Sequence, residues 1–296
     1  MKTLAELGEN ELVKRLIKQL AQDQSVLVGP GDDCAVVQHS SETLLLKTDV
    51  VVEGLHFLRS NEPERIGRKA IARAISDIGA MGGSPRHALV TLLAPSDLDH
   101  GYVERLYAGM QQVAKAHGIS IVGGETASSP VLILNVSLTG YAPHPVLRSG
   151  ASAGDCIIVT GNLGGSIQGH HLDFEPRVTQ GQWLAQHRYA SAMMDLSDGL
   201  AKDLPRLAQA SQLSYRVHAD ALPCNPGCST EQAWADGEDY ELLFTCHPSR
   251  WTALKAAWPV DFPALTQIGE MLPLSLAPEV SLRSQGWEHF VQLPAV

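Results

Sequence analysis

The chain has 296 residues, 44% of them hydrophobic, enough for about two domains with a sizeable core. It carries 22 Lys and Arg against 32 Asp and Glu, a net charge of −10, with no basic cluster. That balance argues against sequence-independent nucleic-acid binding but leaves open a nucleotide recruited through metal ions. No run approaches the ~18 apolar residues of a bilayer span, so no membrane role is expected. The opening MKTLAELGENELVKRL is amphipathic and acid-bearing, unlike a cleaved leader. The five cysteines are scattered and odd in number, which suits reduced thiols in the cytoplasm. Cys224 and Cys228, in CNPGC, read as a Pro/Gly turn rather than half of a zinc site.

In chain order, Leu12, Val13, Leu16, Ile17 and Leu20 fall at helical spacing over Glu11–Ala21. Val26–Val28 is strand-like and ends in Gly29-Pro30-Gly31. Ala35–Val37, Leu44–Leu46 and Val50–Val52 read as short strands. A helix is expected from Glu62 to Met81, with Pro63 in its first turn and an apolar stripe from Ile66 to Ile78; Gly82 and Gly83 stop it. His87–Leu93 is a strand and Asp97–Gly118 a helix. Ile119–Val122 is a strand ending at Gly123-Gly124-Glu125-Thr126, and Val131–Thr139 is a longer one. Ala142–Gly150 (APHPVLRSG) is the expected domain boundary. Beyond it strands and helices alternate again, with a glycine loop at Gly161–Ser166 and a Ser-Asp pair at Ser197-Asp198 that matches Ser76-Asp77. The pattern implies an α/β or α+β chain in two lobes, residues 1–141 and 142–296.

Acidic residues recur beside glycines and at element ends: Asp32-Asp33, Asp49, Asp77, Glu125, Asp195 with Asp198, and Glu238-Asp239. Each has an ordinary explanation. Asp32-Asp33 is equally an Asx turn, and Asp195 or Asp198 equally a helix cap. Asp77 stands out, because a carboxylate among Ala, Ile and Gly needs a partner unless its face is solvated. Together the set suggests a site where Mg²⁺ neutralises a polyphosphate. GNLGGS is either a phosphate cradle or a plain β-to-α turn. Arg148 is either a bidentate phosphate ligand or a surface arginine. His56 is either a core histidine or a phosphate ligand.

The ordered series GDDCAVV, KTDVVVEGLHF, AISDIGAMGG, VGGET, RSGASAGD, MMDLSDGL and GEDYELLF resembles the thiamine-monophosphate kinase family, from Gly31 to the GWEHF tail. The resemblance implies a two-domain PurM-like fold: an N-terminal α/β domain whose sheet dimerises into a barrel-like core, and a C-terminal α+β domain. It implies Mg²⁺-dependent, in-line transfer of the ATP γ-phosphoryl to thiamine monophosphate in a homodimer. Carried over by motif, Asp33, Thr48, Asp49, Asp77, Asp195 and Asp198 are the expected Mg²⁺ ligands. Gly124, Glu125, Arg148 and Ser197 form the ATP set, with Glu125 also on metal. His56, Glu238 and Trp287 form the substrate set, Trp287 stacking on the thiamine ring. Two positions depart from the family pattern: Lys47 replaces a hydroxyl residue and Glu125 an aspartate. Another ATP-dependent enzyme of the wider superfamily, or a nucleotide-binding relative without turnover, would carry similar motifs.

Overall fold

A computed structural model describes residues 8–282, apart from 19, 21, 40 and 41, together with 286 and 287; the rest of the GWEHF tail lies outside the described residues. The first helix, α1, spans Glu9–Ile17. Strands β1 (Val26–Val28), β2 (Ala35–His39), β3 (Glu42–Val52), β4 (Ser84–Ala94), β5 (Ser120–Ser128) and β6 (Ile133–Tyr141) form one sheet in the order β1-β2-β3-β6-β4-β5. All pairings are antiparallel except β4 with β5. The parallel pair is joined by helix α3 (His100–Ala116), the crossover such a pair requires.

Two strand expectations are corrected. The runs at Leu44–Leu46 and Val50–Val52 belong to one 11-residue strand, because Lys47, Thr48 and Asp49 all keep their register with β6. The strand at Ile119–Val122 does not stop at its glycines; β5 continues to Ser128. Gly124 is tolerated there because a Cβ would lie 1.8 Å from the Val90 carbonyl oxygen of β4, a spacing only glycine permits.

Helix α2 (Pro63–Ala80) is the central element. Its expected apolar stripe is present, but almost every other position is buried too. A helix buried all round has packing partners on more than one side. One side rests on the six-stranded sheet, where Leu45, Val90, Leu134, Val136 and Leu138 complete the core. The other side meets the second half of the chain. There a Cβ on Gly181 would sit 1.9 Å from the Gly79 carbonyl oxygen, so α2 and α5 (Val178–Gln186) touch backbone to backbone.

The second half forms a five-stranded antiparallel sheet from β7 (Cys156–Thr160), β8 (Ala192–Asp195), β9 (Leu213–Val217), β10 (Leu242–Cys246) and β11 (Leu265–Pro273), in the order β8-β10-β7-β11-β9. Strands β7, β8 and β10 are buried at every position, as continuous apolar runs covered on both faces should be. Short helices α4 (His170–Asp173) and α7 (Thr230–Ala235), with α6 (Leu200–Ala210) and α8 (Pro248–Ala257), complete the half. The connecting segment is pinned on both sides: Val146 N–H donates to the Met81 carbonyl, and the Leu147 carbonyl accepts from Met193 N–H.

Candidate metal-phosphate site

Three elements deliver carboxylates to one point. The Gly29-Pro30-Gly31 turn presents Asp33, the last turn of α2 presents Asp77, and the end of β8 presents Asp195. One oxygen from each lies within 4.8 Å of the others, and all three residues are buried. Asp49 joins from β3 through shared cations. Lys47 Nζ donates to Asp77 Oδ1 at 2.8 Å and lies 3.6 Å from Asp49 Oδ2. Arg73, one turn before Asp77 on α2, lies 3.9 Å from Asp49 Oδ1. Arg148 places its guanidinium fork on Asp33 Oδ1 and its backbone N–H on Asp32.

The electrostatics are those of crowded carboxylates. Burial, followed by the Asp33 charge, pushes the Asp195 carboxyl up to about 7. Burial also raises Asp77 well above the usual carboxylate range, against the pull of Lys47. Burial alone would raise Asp49 as well, but the Lys47 and Arg73 charges outweigh it and the carboxyl moves down. The Ser76 hydroxyl donates to Asp195, tying α2 to β8. Asp33 Oδ2 and Asp49 Oδ2 are buried among the described residues with no hydrogen-bond partner. Buried carboxylate oxygens beside the Asp33, Asp77 and Asp195 cluster are the donor set a hard divalent cation uses, so these residues fit Mg²⁺.

Beside this cluster, and sharing Arg73 with it, a pocket opens between the two halves. His56, Ser197, Asp198, Glu238 and Trp287 all line it, as does Tyr240. The expected substrate residues therefore meet, although they are far apart in sequence. His56 Nδ1 accepts from Val52 N–H, and Trp287 N–H donates to the Asp198 carbonyl. Asp198 aims its carboxylate at Arg206, and Asp203 accepts from the backbone N–H groups of Ser197 and Asp198.

Three expected metal ligands do not join the cluster: Asp198, whose carboxylate is on Arg206, and Thr48 and Glu125 on the six-stranded sheet. Strand side chains alternate, so Leu45, Lys47, Asp49 and Val51 share the inner face of β3 and Thr48 points to the other. There Thr48 pairs with Asn135 and Ser137. Glu125 lies in register with Thr91, Asn135 and Val50, and so on that same outer face. It is exposed, three strands from β3, roughly 14 Å at the usual strand spacing. Gly124 shares that edge strand. Arg148 is near the site, but its fork is on Asp33 rather than free for a phosphate.

The glycine loop is an ordinary turn. Its Gly164 N–H donates to Asp239 Oδ1 at 2.9 Å and its Gly165 N–H to Asp236 Oδ2 at 2.8 Å, so two of its amides are already used. Burial raises the Asp239 carboxyl to about 8, far above its unfolded value, and its Oδ2 has no hydrogen-bond partner among the described residues. The folded state then binds a proton that the unfolded chain releases, and wild-type stability falls as pH rises from about 4 to about 8. Asp239→Asn keeps the acceptor for Gly164 and cannot ionise. It should raise the melting temperature at pH 8 by roughly 2–4 °C, with the gain shrinking toward pH 5. A pH series of melting curves checks this; a gain that grows on acidification contradicts it.

Lys69 and Arg73 also belong to the site, although no sequence motif names them. Lys69 is fully buried, and its ammonium donates to the His56 carbonyl at 2.6 Å and to Glu238 at 2.8 Å. The signal was available: Lys69, Arg73 and Asp77 recur every four residues, one polar line along an otherwise apolar helix.

This mixed α/β architecture of two sheets is that of the AIR-synthase-related class. The family model of the AIR synthase related protein, N-terminal domain, matches residues 31–142. The curated thiamine-monophosphate kinase of Aquifex aeolicus is 36% identical, over 97% of this chain and 99% of the relative. That of Escherichia coli K12 is 32% identical over 96% and 98%. The solved structure of AaThiL complexed with AMPPCP and TMP superposes with a TM-score of 0.86 at 33% identity, covering 98% of this chain and 99% of that one. HypE in complex with ATP shares the fold, with a TM-score of 0.67 at 20% identity. The chain belongs to the thiamine-monophosphate kinase family, whose members are ATP-dependent phosphotransferases.

Proposed function

We propose that this chain transfers the γ-phosphoryl of ATP directly to the phosphate of thiamine monophosphate, giving thiamine diphosphate and ADP. The observation that carries this is the meeting of Asp33, Asp77 and Asp195 beside a pocket lined by His56, Glu238 and Trp287. The acceptor is already a phosphate oxygen, so no strong base is required; alignment and charge neutralisation suffice. Asp33, Asp49, Asp77 and Asp195 hold Mg²⁺ in this reading, with Asp198 at the pocket edge, and Mg²⁺ supplies neutralisation of the polyphosphate. Trp287 offers a stacking surface for a thiamine ring, and His56 and Ser197 offer polar contacts to phosphate. The division of the chain after Tyr141 and a cytoplasmic setting belong to the same proposal. The free state of all five cysteines supports that setting. No described helix is long and apolar enough to cross a membrane.

A homodimer through the six-stranded sheet is part of this reading. Leu46, Val50, Leu89 and Val122 are 40–60% exposed. Leu46 and Val50 share the outer sheet face with Thr48 and Glu125, and Leu89, paired with Ser137, joins them. An apolar sheet face of this extent favours a cover, and a second copy provides one.

Purified protein with Mg-ATP should form thiamine diphosphate from thiamine monophosphate and none from unphosphorylated thiamine. ATP turnover that thiamine monophosphate fails to stimulate would assign another acceptor. Lys69→Met removes the ammonium that holds Glu238 and the His56 carbonyl. It should raise KM for thiamine monophosphate at least about tenfold, the value of one lost charge-assisted hydrogen bond, with KM for ATP little changed. Equal rises in both constants would make Lys69 a general structural residue instead.

A further inference from the structure

We propose that Lys47 is a built-in cation of this phosphate site: its ammonium stands where one divalent ion would otherwise bind, so the chain holds one Mg²⁺ fewer than it would without that charge. The inference rests on the metal-phosphate reading above.

Geometry carries it. Strand alternation turns Lys47 inward, beside Asp49 and away from Thr48. Its Nζ bridges carboxylates from two elements, 2.8 Å from Asp77 Oδ1 on α2 and 3.6 Å from Asp49 Oδ2 on β3. A metal ion that bridges two carboxylates occupies the same kind of position, with Mg–O contacts of about 2.1 Å. An ammonium and a hydrated Mg²⁺ cannot share that space.

The other two cations of the cluster are placed differently. Arg148 forks onto Asp33 alone, and Arg73 lines the open pocket 3.9 Å from Asp49. Neither bridges two of the four carboxylates closely. Lysine also suits the task chemically: it is a compact point charge on a flexible stem, able to turn from a carboxylate to a phosphate oxygen, whereas guanidinium demands a planar partner. The orphaned Asp33 Oδ2 remains for the ions that do bind. Part of the cluster is thereby neutralised before any metal arrives.

The test counts metal rather than turnover. MnCl₂ is titrated into the full-length protein with a non-hydrolysable ATP analogue, and protein-bound Mn²⁺ is read by electron paramagnetic resonance. Lys47→Ser opens the position to water and metal. Lys47→Gln, one atom shorter, uncharged and still polar at its tip, guards against a serine variant that fails to fold. Each should bind one more Mn²⁺ per chain than wild type, whereas Lys47→Arg should keep the wild-type number. Equal, non-zero counts in wild type, serine and glutamine forms overturn the proposal for Lys47 and leave the metal site standing. No bound Mn²⁺ in any form overturns both.

Discussion

Asp77→Asn should lower turnover with Mg-ATP by a factor of about 10³ or more while leaving the metal-free fold intact. The two halves of this expectation have different causes. Asp77 is buried beside Asp33 and Asp195, and burial, against the pull of Lys47, raises its carboxyl well above the usual carboxylate range. A neutral amide of the same shape therefore costs the unliganded fold little, since Lys47 keeps Asp49 as a partner at 3.6 Å. Binding of Mg²⁺ and polyphosphate requires the ionised form, and one lost ligand at such a centre is worth several kcal/mol of transition-state stabilisation. Melting curves separate the effects. If the proposed site holds Mg²⁺, wild type should gain stability from Mg²⁺ with nucleotide, and the Asp77→Asn protein should melt near wild type in EDTA and lack that gain. Near-normal turnover would remove Asp77 from the metal shell.

Arg148→Met should destabilise the chain by about 3 kcal/mol in metal-free buffer, because it leaves the Asp33 carboxylate buried without its counter-charge. In a chain of this size that is roughly 6–12 °C in melting temperature. Arg148 also accepts from the Ser211 hydroxyl through its carbonyl and donates its N–H to Asp32, so its backbone stays anchored when the side chain is cut. Mg²⁺ should restore part of the loss, since a cation on Asp33 replaces the guanidinium. Arg148→Lys should restore less than half, having lost the fork. Differential scanning calorimetry with EDTA and with Mg²⁺ reads both. A loss that Mg²⁺ does not change would separate Asp33 from the metal site.

The sequence pattern carried most of the elements, because long amphipathic or continuous apolar runs commit a segment to one structure. Helix α2 is the clearest case: Pro63, the Ile66–Ile78 stripe and Gly82 bound it within a residue or two. Its importance was less visible, since near-complete burial depends on what α5 and β8 bring from the other half of the chain. The carboxylates were also legible. Asp77 stands out by its context, Asp33 and Asp195 are ligands the family resemblance implies, and all three converge. What failed was direction along a strand. The motif Lys47-Thr48-Asp49 does not say which parity faces inward, and a one-residue choice exchanges an expected hydroxyl ligand for an ammonium. Glu125 failed for a related reason. Its glycine neighbours suggested a turn near the site, whereas tight β4–β5 packing at Gly124 keeps it in a strand on the outer face. The pairing of Lys69 with Glu238 joins residues 169 positions apart, which no local pattern encodes.

In the proposed function, the carboxylates from the Asp33 turn, α2 and β8 form one metal centre for ATP and a phosphate acceptor. Anomalous diffraction from crystals grown with Mn²⁺, a non-hydrolysable ATP analogue and thiamine monophosphate tests it most directly. Mn²⁺ peaks should fall within coordinating distance, about 2.2 Å, of Asp33, Asp77 and Asp195 oxygens, with the nucleotide phosphates on the pocket side. Peaks confined to surface carboxylates, with Asp77 still paired to Lys47 alone, would contradict it.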